Sequence, residues 1–251
     1  MIHEQQILEG LKTIILETGQ WIREERSKFD RNTIEKKGRN DLVSYVDRQA
    51  ELMLSEALSK LLPGSGFINE EGGTHLSDQY NWIIDPLDGT TNYIHDIPVY
   101  GVSVALVSGN DLILGCVYDP EHNELFSAIR GQGAYLNGNL IRVSSTAELQ
   151  DSLIATGFPY TVFEHLDSFI FSLKEILGKC RGIRRPGAAS IDLVWTACGR
   201  FDGFYESHLN PWDVAAGALI VQEAGGTVST YSGTSDFIFG KEILATNGFI
   251  H

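Results

Sequence analysis

Sulfur and positive charge are what this chain has least of. Its 251 residues include three cysteines and two methionines. Cys116, Cys180 and Cys198 stand at no zinc-ligand or redox spacing, and an odd count argues against a disulfide framework. Each is expected to be a small core hydrophobe in a reducing compartment, which makes the cytoplasm the expected location. No apolar run approaches the ~20 residues that a membrane span requires. The N-terminal MIHEQQILEGLK has no basic region followed by an apolar one, so no signal peptide is expected. Lysine and arginine total 19 against 33 aspartates and glutamates, a formal net charge of −14. That balance disfavours nonspecific association with nucleic acid or an anionic membrane. It also repels an anionic substrate unless a cation is brought in locally.

What is present is enough for an ordinary globular protein, with 43% hydrophobic and 21% charged residues. A chain of this size can bury roughly 70–75% of its unfolded surface and needs no staples. Ile7, Leu8, Leu11, Ile14, Ile15 and Ile22 recur at helical spacing and predict a first helix ending near Arg26. The segment 31–40 is polar and is expected to be mobile. Ala50, Met53, Leu54, Ala57, Leu58 and Leu61 mark a second helix, with Pro63 just beyond its end. Period-two runs follow at 66–69, 82–85, 100–107, 112–118, 124–129 and 140–143, separated by tight turns, and predict an antiparallel meander. After Ser144 strands and helices alternate: strands at 153–156, 183–185, 203–205, 227–229 and 243–246, helices at 163–177, 190–198 and 212–224. The expectation is therefore two closely packed parts, an α+β half over 1–144 and an α/β half over 145–251.

The chemistry concentrates in WIIDPLDGTTNY, residues 82–93. Asp85 ends an apolar run, Pro86 is expected to stop the strand and set a turn, and Asp88 follows three places on. An Asx-turn and a helix cap account for one aspartate readily and for two poorly. Two carboxylates a few Å apart repel unless one is protonated or a cation lies between them. Carboxylates, a carbonyl such as that of Leu87 and a threonine hydroxyl suit Mg²⁺ or Mn²⁺ and not zinc. Gly89 lets a ligand approach the backbone, and the amides of Gly89, Thr90 and Thr91 can form an anion nest. One loop could thus hold a cation with its acids and a phosphate with its amides, which resolves the charge problem.

Other acids have a plain reading beside a functional one. Glu70 and Glu71, in FINEEGG, end another short strand and read equally as solvated charge. Asp213, in NPWDVAAG, sits in the first turn of a helix that Asn210 can cap, with Pro211 at its first position. The run Ala215, Ala216, Gly217 leaves that helix end bare, as close packing or a ligand would require. Asp47, in DLVSYVD, forms a capping box with Ser44 or a base that shares a proton with a hydroxyl such as that of Thr90.

Together these segments resemble the inositol monophosphatase family of lithium-sensitive, magnesium-dependent phosphatases. DLVSYVD resembles its D-x-V-T-x-x-D, FINEE its G-E-E, and DPLDGTTN its D-P-[IL]-D-G-T-[TK]-N. RRPGAASIDL is similar to R-R-x-G-[ST]-A-A-x-D-L, and PWDVAAG to W-D-x-A-A-G. The resemblance implies an αβαβα layered sandwich assembled as a homodimer. It implies that Glu70, Asp85 and the Leu87 carbonyl hold one metal, and Asp85, Asp88 and Asp213 a second. Asp47 and Thr90, with Glu70 as a further catalytic residue, would activate water. Asp88, Gly89, Thr90 and Asp213 would meet the phosphate, and Ala189 and Glu206 the rest of the substrate. Ala188 stands where Ser or Thr is common and Ser190 where Ala is common, so polar contacts at that wall are expected to differ. Arg184 and Arg185 orient substrate or dimer, or form a solvated strand edge.

The resemblance implies Mg²⁺-dependent hydrolysis of inositol 1-phosphate or a related polyol or sugar phosphate by in-line attack of water. Mn²⁺ would substitute and Li⁺ inhibit. Adenosine 3′,5′-bisphosphate and fructose 1,6-bisphosphate or NADP-type phosphatases are alternatives, although Gly-Thr-Thr-Asn-Tyr differs from the Gly-Thr-Lys typical of the nucleotide enzymes. LDGT echoes the haloacid dehalogenase signature D-x-D-G-T, but here the acids are three apart. Some bacterial members of the family are RNA or transcription-complex partners; with no basic stripe in this chain, nucleic acid is not the expected ligand.

Overall fold

The computed structural model describes residues 3–28, 35–36, 42–43, 45–158 and 166–251. The polar segment 31–40 falls mostly outside these, as do Ser44 of the expected capping box and the first residues of the helix expected from Phe163.

Helix α1 (Glu4–Arg26) buries Ile7, Leu8, Leu11, Ile15 and Ile22 along one stripe, the spacing that 3.6 residues per turn demands. A two-stranded antiparallel pair, β1 (Glu35–Lys36) and β2 (Leu42–Val43), precedes α2 (Tyr45–Leu61), which buries Val46, Ala50, Leu54 and Leu58. An eight-stranded sheet follows. Its strands are β3 (Gly66–Asn69), β4 (Gly73–His75), β5 (Asn81–Asp88), β6 (Gly101–Ser108), β7 (Asp111–Asp119), β8 (Glu124–Ile129), β9 (Ala134–Leu136) and β10 (Asn139–Leu140). Their order is β10-β9-β8-β7-β6-β5-β3-β4. The meander is antiparallel from β5 to β10 as expected, but β3 pairs with β5 in parallel. The short strands β4 and β9 escape the periodicity reading because three residues carry no period. The strand expected over 140–143 stops at Leu140.

A five-stranded mixed sheet has the order β12-β11-β13-β15-β14. It comprises β11 (Leu153–Thr156), β12 (Gly182–Arg184), β13 (Gly203–Ser207), β14 (Thr227–Ser229) and β15 (Glu242–Thr246), with helices α4 (Leu166–Leu177), α5 (Ala189–Ala197) and α6 (Pro211–Glu223). A further short helix, α3 (Thr90–Ile94), follows β5.

Strand alternation distributes the side chains of the large sheet between two cores. Trp82 and Ile84 of β5 join α1 and α2 on one face, whereas Ile83 joins α5 and α6 on the other. Phe204, Ile243 and Ala245 of the small sheet meet α5 and α6 from the far side. Phe169 of α4 lies against Tyr205 on the outer face of that sheet, ring centroids 6.4 Å apart. The layers are therefore helix, sheet, helix, sheet, helix, the αβαβα sandwich expected. Helix α6 is buried from Val214 to Val221, because it is enclosed between the two sheets. Its small residues serve that packing: a Cβ on Gly217 would come 2.6 Å from Leu193 Cβ of α5, and one on Gly115 of β7 would come 3.0 Å from Ala216 Cα.

Candidate active site

Strand β5 does not end at Asp85. Pairing with β6 is regular to Asp85 opposite Ser103, becomes irregular, and resumes with Asp88 opposite Gly101. Three steps on β5 thus oppose two on β6, a bulge. Pro86 sits inside it, where a missing N–H interrupts no ladder. The bulge breaks the alternation, so Asp85 and Asp88 can share a side while Leu87 is buried in the core beside α1 and α2. The Asx-turn is there as well: Asp85 Oδ1 accepts the Leu87 N–H at 3.0 Å.

Two helix N-termini approach this bulge. Ser190, in the first turn of α5, donates to Asp88 Oδ2 from its N–H at 2.7 Å and from its hydroxyl at 2.6 Å. Asp213, in the first turn of α6, accepts the Asn210 N–H on Oδ2 at 2.6 Å and completes a capping box. The cap and the functional reading of Asp213 are compatible, since its carboxylate also joins Asp85 and Asp88. One oxygen from each of these three residues lies within 4.8 Å of the others. Burial pushes all three carboxyls up, and for Asp213, which reaches about 7, the neighbouring Asp88 adds to it. Asp85, 1% exposed, is raised well above the usual carboxylate range, by burial and then by Glu70, Asp88 and Asp213. An all-oxygen cluster, buried at Asp85 and partly buried at the other two, in which Asp88 and Asp213 raise Asp85 and Asp88 raises Asp213, is a site that a hard divalent cation relieves. The donor set fits Mg²⁺ or Mn²⁺.

Glu70 follows β3, the parallel neighbour of β5, and is near enough to Asp85 to share a hydrogen bond with it. Glu71 lies further along the same turn, its N–H bonded to Glu51 Oε2 at 2.8 Å. Asp47, 1% exposed on α2, accepts the Thr90 hydroxyl on Oδ1 at 2.9 Å, and the same hydroxyl lies 3.0 Å from the Leu87 carbonyl. The hydroxyl partner expected of Asp47 is in place. Gly89 precedes α3 with φ 89°, a left-handed conformation suited to glycine. Amides of the first helical turn after it have no intrahelical acceptor.

Glu206 and Ala189 are both buried. Burial raises the Glu206 carboxyl to about 8, with Asp213 adding to it and Arg185 opposing. Of three further contributors, the sequence left Asp192 unseen and the roles of Ser190 and Arg185 open. Ser190 was noted only as a departure from a common alanine, yet its two hydrogen bonds fix Asp88. Asp192 of α5 is 1% exposed with Oδ1 unpartnered among the described residues, and burial followed by Glu206 and Asp88 raises it well above the usual range. Arg185, which could be read as strand edge, lies over the Phe158 ring at 5.8 Å, and its charge lowers the pKa of Asp88, Asp192 and Glu206. An acid or a cation on a helix or strand end carries no local mark of what it faces.

Comparison with known proteins agrees with this geometry. The model of the inositol monophosphatase family matches residues 3–251. A protein named putative Nus factor SuhB from Neisseria meningitidis is 47% identical over 231 residues, covering 91% of this chain and 88% of that one. An inositol-1-monophosphatase of Mesorhizobium japonicum is 41% identical over 216 residues, with 85% and 81% covered. Among solved structures, extragenic suppressor protein suhB from Bartonella henselae superposes with a TM-score of 0.93 at 38% identity, covering 97% of this chain and 95% of that chain. Inositol monophosphatase from Anabaena gives a TM-score of 0.88 at 37% identity, covering 98% and 92%. With an acidic cluster able to hold metal in that fold, this chain belongs to the inositol monophosphatase family, a family of metal-dependent phosphatases.

Proposed function

We propose that the protein is a Mg²⁺-dependent phosphomonoesterase acting on inositol 1-phosphate or a related polyol or sugar phosphate. The observation that carries this reading is the meeting of Asp85, Asp88 and Asp213, oxygens within 4.8 Å, beside the Asp47–Thr90 hydrogen bond of 2.9 Å. Glu70, Asp85, the Leu87 carbonyl, Asp88 and Asp213 would hold the metal. When bound, Mg²⁺ neutralises phosphate charge and lowers the pKa of coordinated water. The residues supply the rest. The Thr90 hydroxyl donates a hydrogen bond to Asp47 or the Leu87 carbonyl, which leaves the Thr90 oxygen free to accept one from an attacking water and orient it. Asp47, buried and hydrogen-bonded to Thr90, would take up the proton that this water loses, relayed through the Thr90 hydroxyl. Gly89 and Thr90 offer backbone amides to the phosphate. Glu206 accepts hydrogen bonds from hydroxyls of the leaving group, and Ala189 leaves room for the ring.

The test is turnover of inositol 1-phosphate and a panel of phosphate esters, with Mg²⁺ and with excess EDTA. Full activity in EDTA defeats the metal reading, and preference for nucleotide or bisphosphate esters defeats the polyol reading. Li⁺ at millimolar concentration should inhibit and Na⁺ should not, and the expected assembly is a homodimer. Relatives named Nus factor SuhB favour a second reading, association with a transcription complex. Retention of the Asp85→Asn protein by such a complex, with phosphatase activity lost, would separate that role from catalysis.

A further inference from the structure

Glycine is required at a position either by the backbone or by space. Gly157 follows β11 directly and is not among the glycines with positive φ, so its backbone conformation is open to other residues. Space is another matter. A Cβ built on Gly157 would lie 1.9 Å from both Cδ and Oε1 of Glu206 and 2.1 Å from Oε2. The atom would fall inside the carboxylate itself.

The sheet explains why the two meet. Strands β11 and β13 are parallel, with Thr156 opposite Tyr205, so the next residues of each strand, Gly157 and Glu206, are neighbours. The buried Thr156 hydroxyl donates to the Tyr205 carbonyl at 2.8 Å and lies 3.2 Å from the Gly157 carbonyl, which ties the two strand ends together. Glu206 is 8% exposed, yet its carboxylate accepts no hydrogen bond from any described residue. No donor fixes it. The bare Cα beneath it leaves the space it occupies, and its charged neighbours are Asp213 and Asp88, which repel it, and Arg185, which attracts it.

We propose that Gly157 is a positioning residue that determines specificity: its missing side chain is the space in which the Glu206 carboxylate stands to receive substrate hydroxyls. This rests on the polyol-phosphate reading. Ordinary contact with a Cβ begins near 3.4 Å, so a side chain at 157 drives the carboxylate away by about 1.5 Å. A hydrogen bond lengthened by that much is lost. Retreat toward Asp213 is opposed by charge, and retreat away from it abandons the leaving group.

A double-mutant cycle of Gly157→Ala and Glu206→Ala tests this on the Mg²⁺-loaded enzyme. Readouts are the ratio of kcat/KM for inositol 1-phosphate to that for p-nitrophenyl phosphate, and Tm. Gly157→Ala should lower the ratio about tenfold to a hundredfold, the range of one charge-assisted hydrogen bond. In the Glu206→Ala background it should lower the ratio no further, and Glu206→Asp, one methylene shorter, should restore part of it. Gly157→Ala should also lower Tm in the wild type and not in Glu206→Ala. A wild-type ratio in Gly157→Ala, or an equal Tm loss in both backgrounds, overturns the proposal. So does a Gly157→Ala/Glu206→Ala protein that fails to fold, since the clash is absent there. If Glu206→Ala leaves the ratio untouched, the polyol reading fails, and the Tm cycle still decides whether Gly157 positions the carboxylate.

Discussion

Two groups of buried acids lie side by side in this protein and are held in opposite ways. In the Asp85, Asp88 and Asp213 cluster every carboxylate has one oxygen pinned by a backbone N–H, from Leu87, Ser190 and Asn210 respectively. Glu206 has no such donor among the described residues and stands over a glycine. A carboxylate pinned on one oxygen presents the other in a fixed direction, which suits a cation that demands near-ideal geometry. A carboxylate held only by packing keeps its full acceptor capacity for an incoming donor. The same side-chain chemistry is thus preset for a metal in one place and kept free for hydroxyls in the other.

The comparison breaks most visibly at Asp85. Asp85→Asn removes the most buried charge of the cluster and should lower turnover by several orders of magnitude on every phosphate ester. Activity near wild type would mean that the cluster is no metal site. Thr90→Val comes next. It removes the hydroxyl between Asp47 and the Leu87 carbonyl and should lower kcat by about 10²–10⁴-fold, with the Mg²⁺ dependence retained. If Mg²⁺ affinity collapses instead, Thr90 belongs with the metal ligands and not with the water.

Glu206→Ala should be milder and selective. It should lower the ratio of kcat/KM for inositol 1-phosphate to that for p-nitrophenyl phosphate by about tenfold to a hundredfold, equivalent to roughly 1.5–3 kcal/mol. Equal losses on both substrates would merge the two groups of acids into one site.

The smallest effect is on stability. Burial, then Asp88, raises Asp213 to about 7, and burial, then Asp213, raises Glu206 to about 8. Below those values the folded, metal-free protein holds protons that the unfolded chain, with ordinary carboxylates, has released. Stability should therefore fall as pH rises from the ordinary carboxylate range to about 8. Tm without metal should drop by several degrees between pH 5 and pH 8, at roughly 2–4 °C per kcal/mol for a chain of this size. Mg²⁺ should raise Tm more at pH 8 than at pH 5.5, because ligands must be deprotonated to bind it. A Tm that is flat or rising with pH in EDTA would mean that the acids are less buried than the structure has them.

Much of this was legible beforehand. The stripe of α1 and the strands at 66–69, 124–129, 153–156 and 227–229 were placed from side-chain pattern and turn signals, and Asp47, Glu70, Asp85, Asp88, Glu206 and Asp213 were singled out. What failed had local causes. Pro86 was read as ending a strand, whereas β5 absorbs it in a bulge. The bare end of α6, by contrast, met one of its two readings, close packing, through Ala216 on Gly115 and Gly217 on Leu193. Asp192 and Gly157 were passed over, Ser190 was noted only as a departure from alanine, and Arg185 was left between substrate contact and strand edge, since each has an adequate local explanation.

The sequence by itself determined most of the helices and strands, where the acids fall on them, and that a chain of net charge −14 needs a cation to handle phosphate. Those follow from period, turn chemistry and charge, all properties of neighbours along the chain. Tertiary structure alone decided that Asp213, 125 positions beyond Asp88, completes its cluster, that Ser190 pins Asp88, and that Gly157 lies under Glu206. Each depends on how apolar faces far apart in sequence pack, as when α6 is enclosed between two sheets and its first turn is carried to the β5 bulge. A carboxylate at a helix start looks the same as cap or ligand until packing brings another carboxylate within a few Å and leaves both short of water.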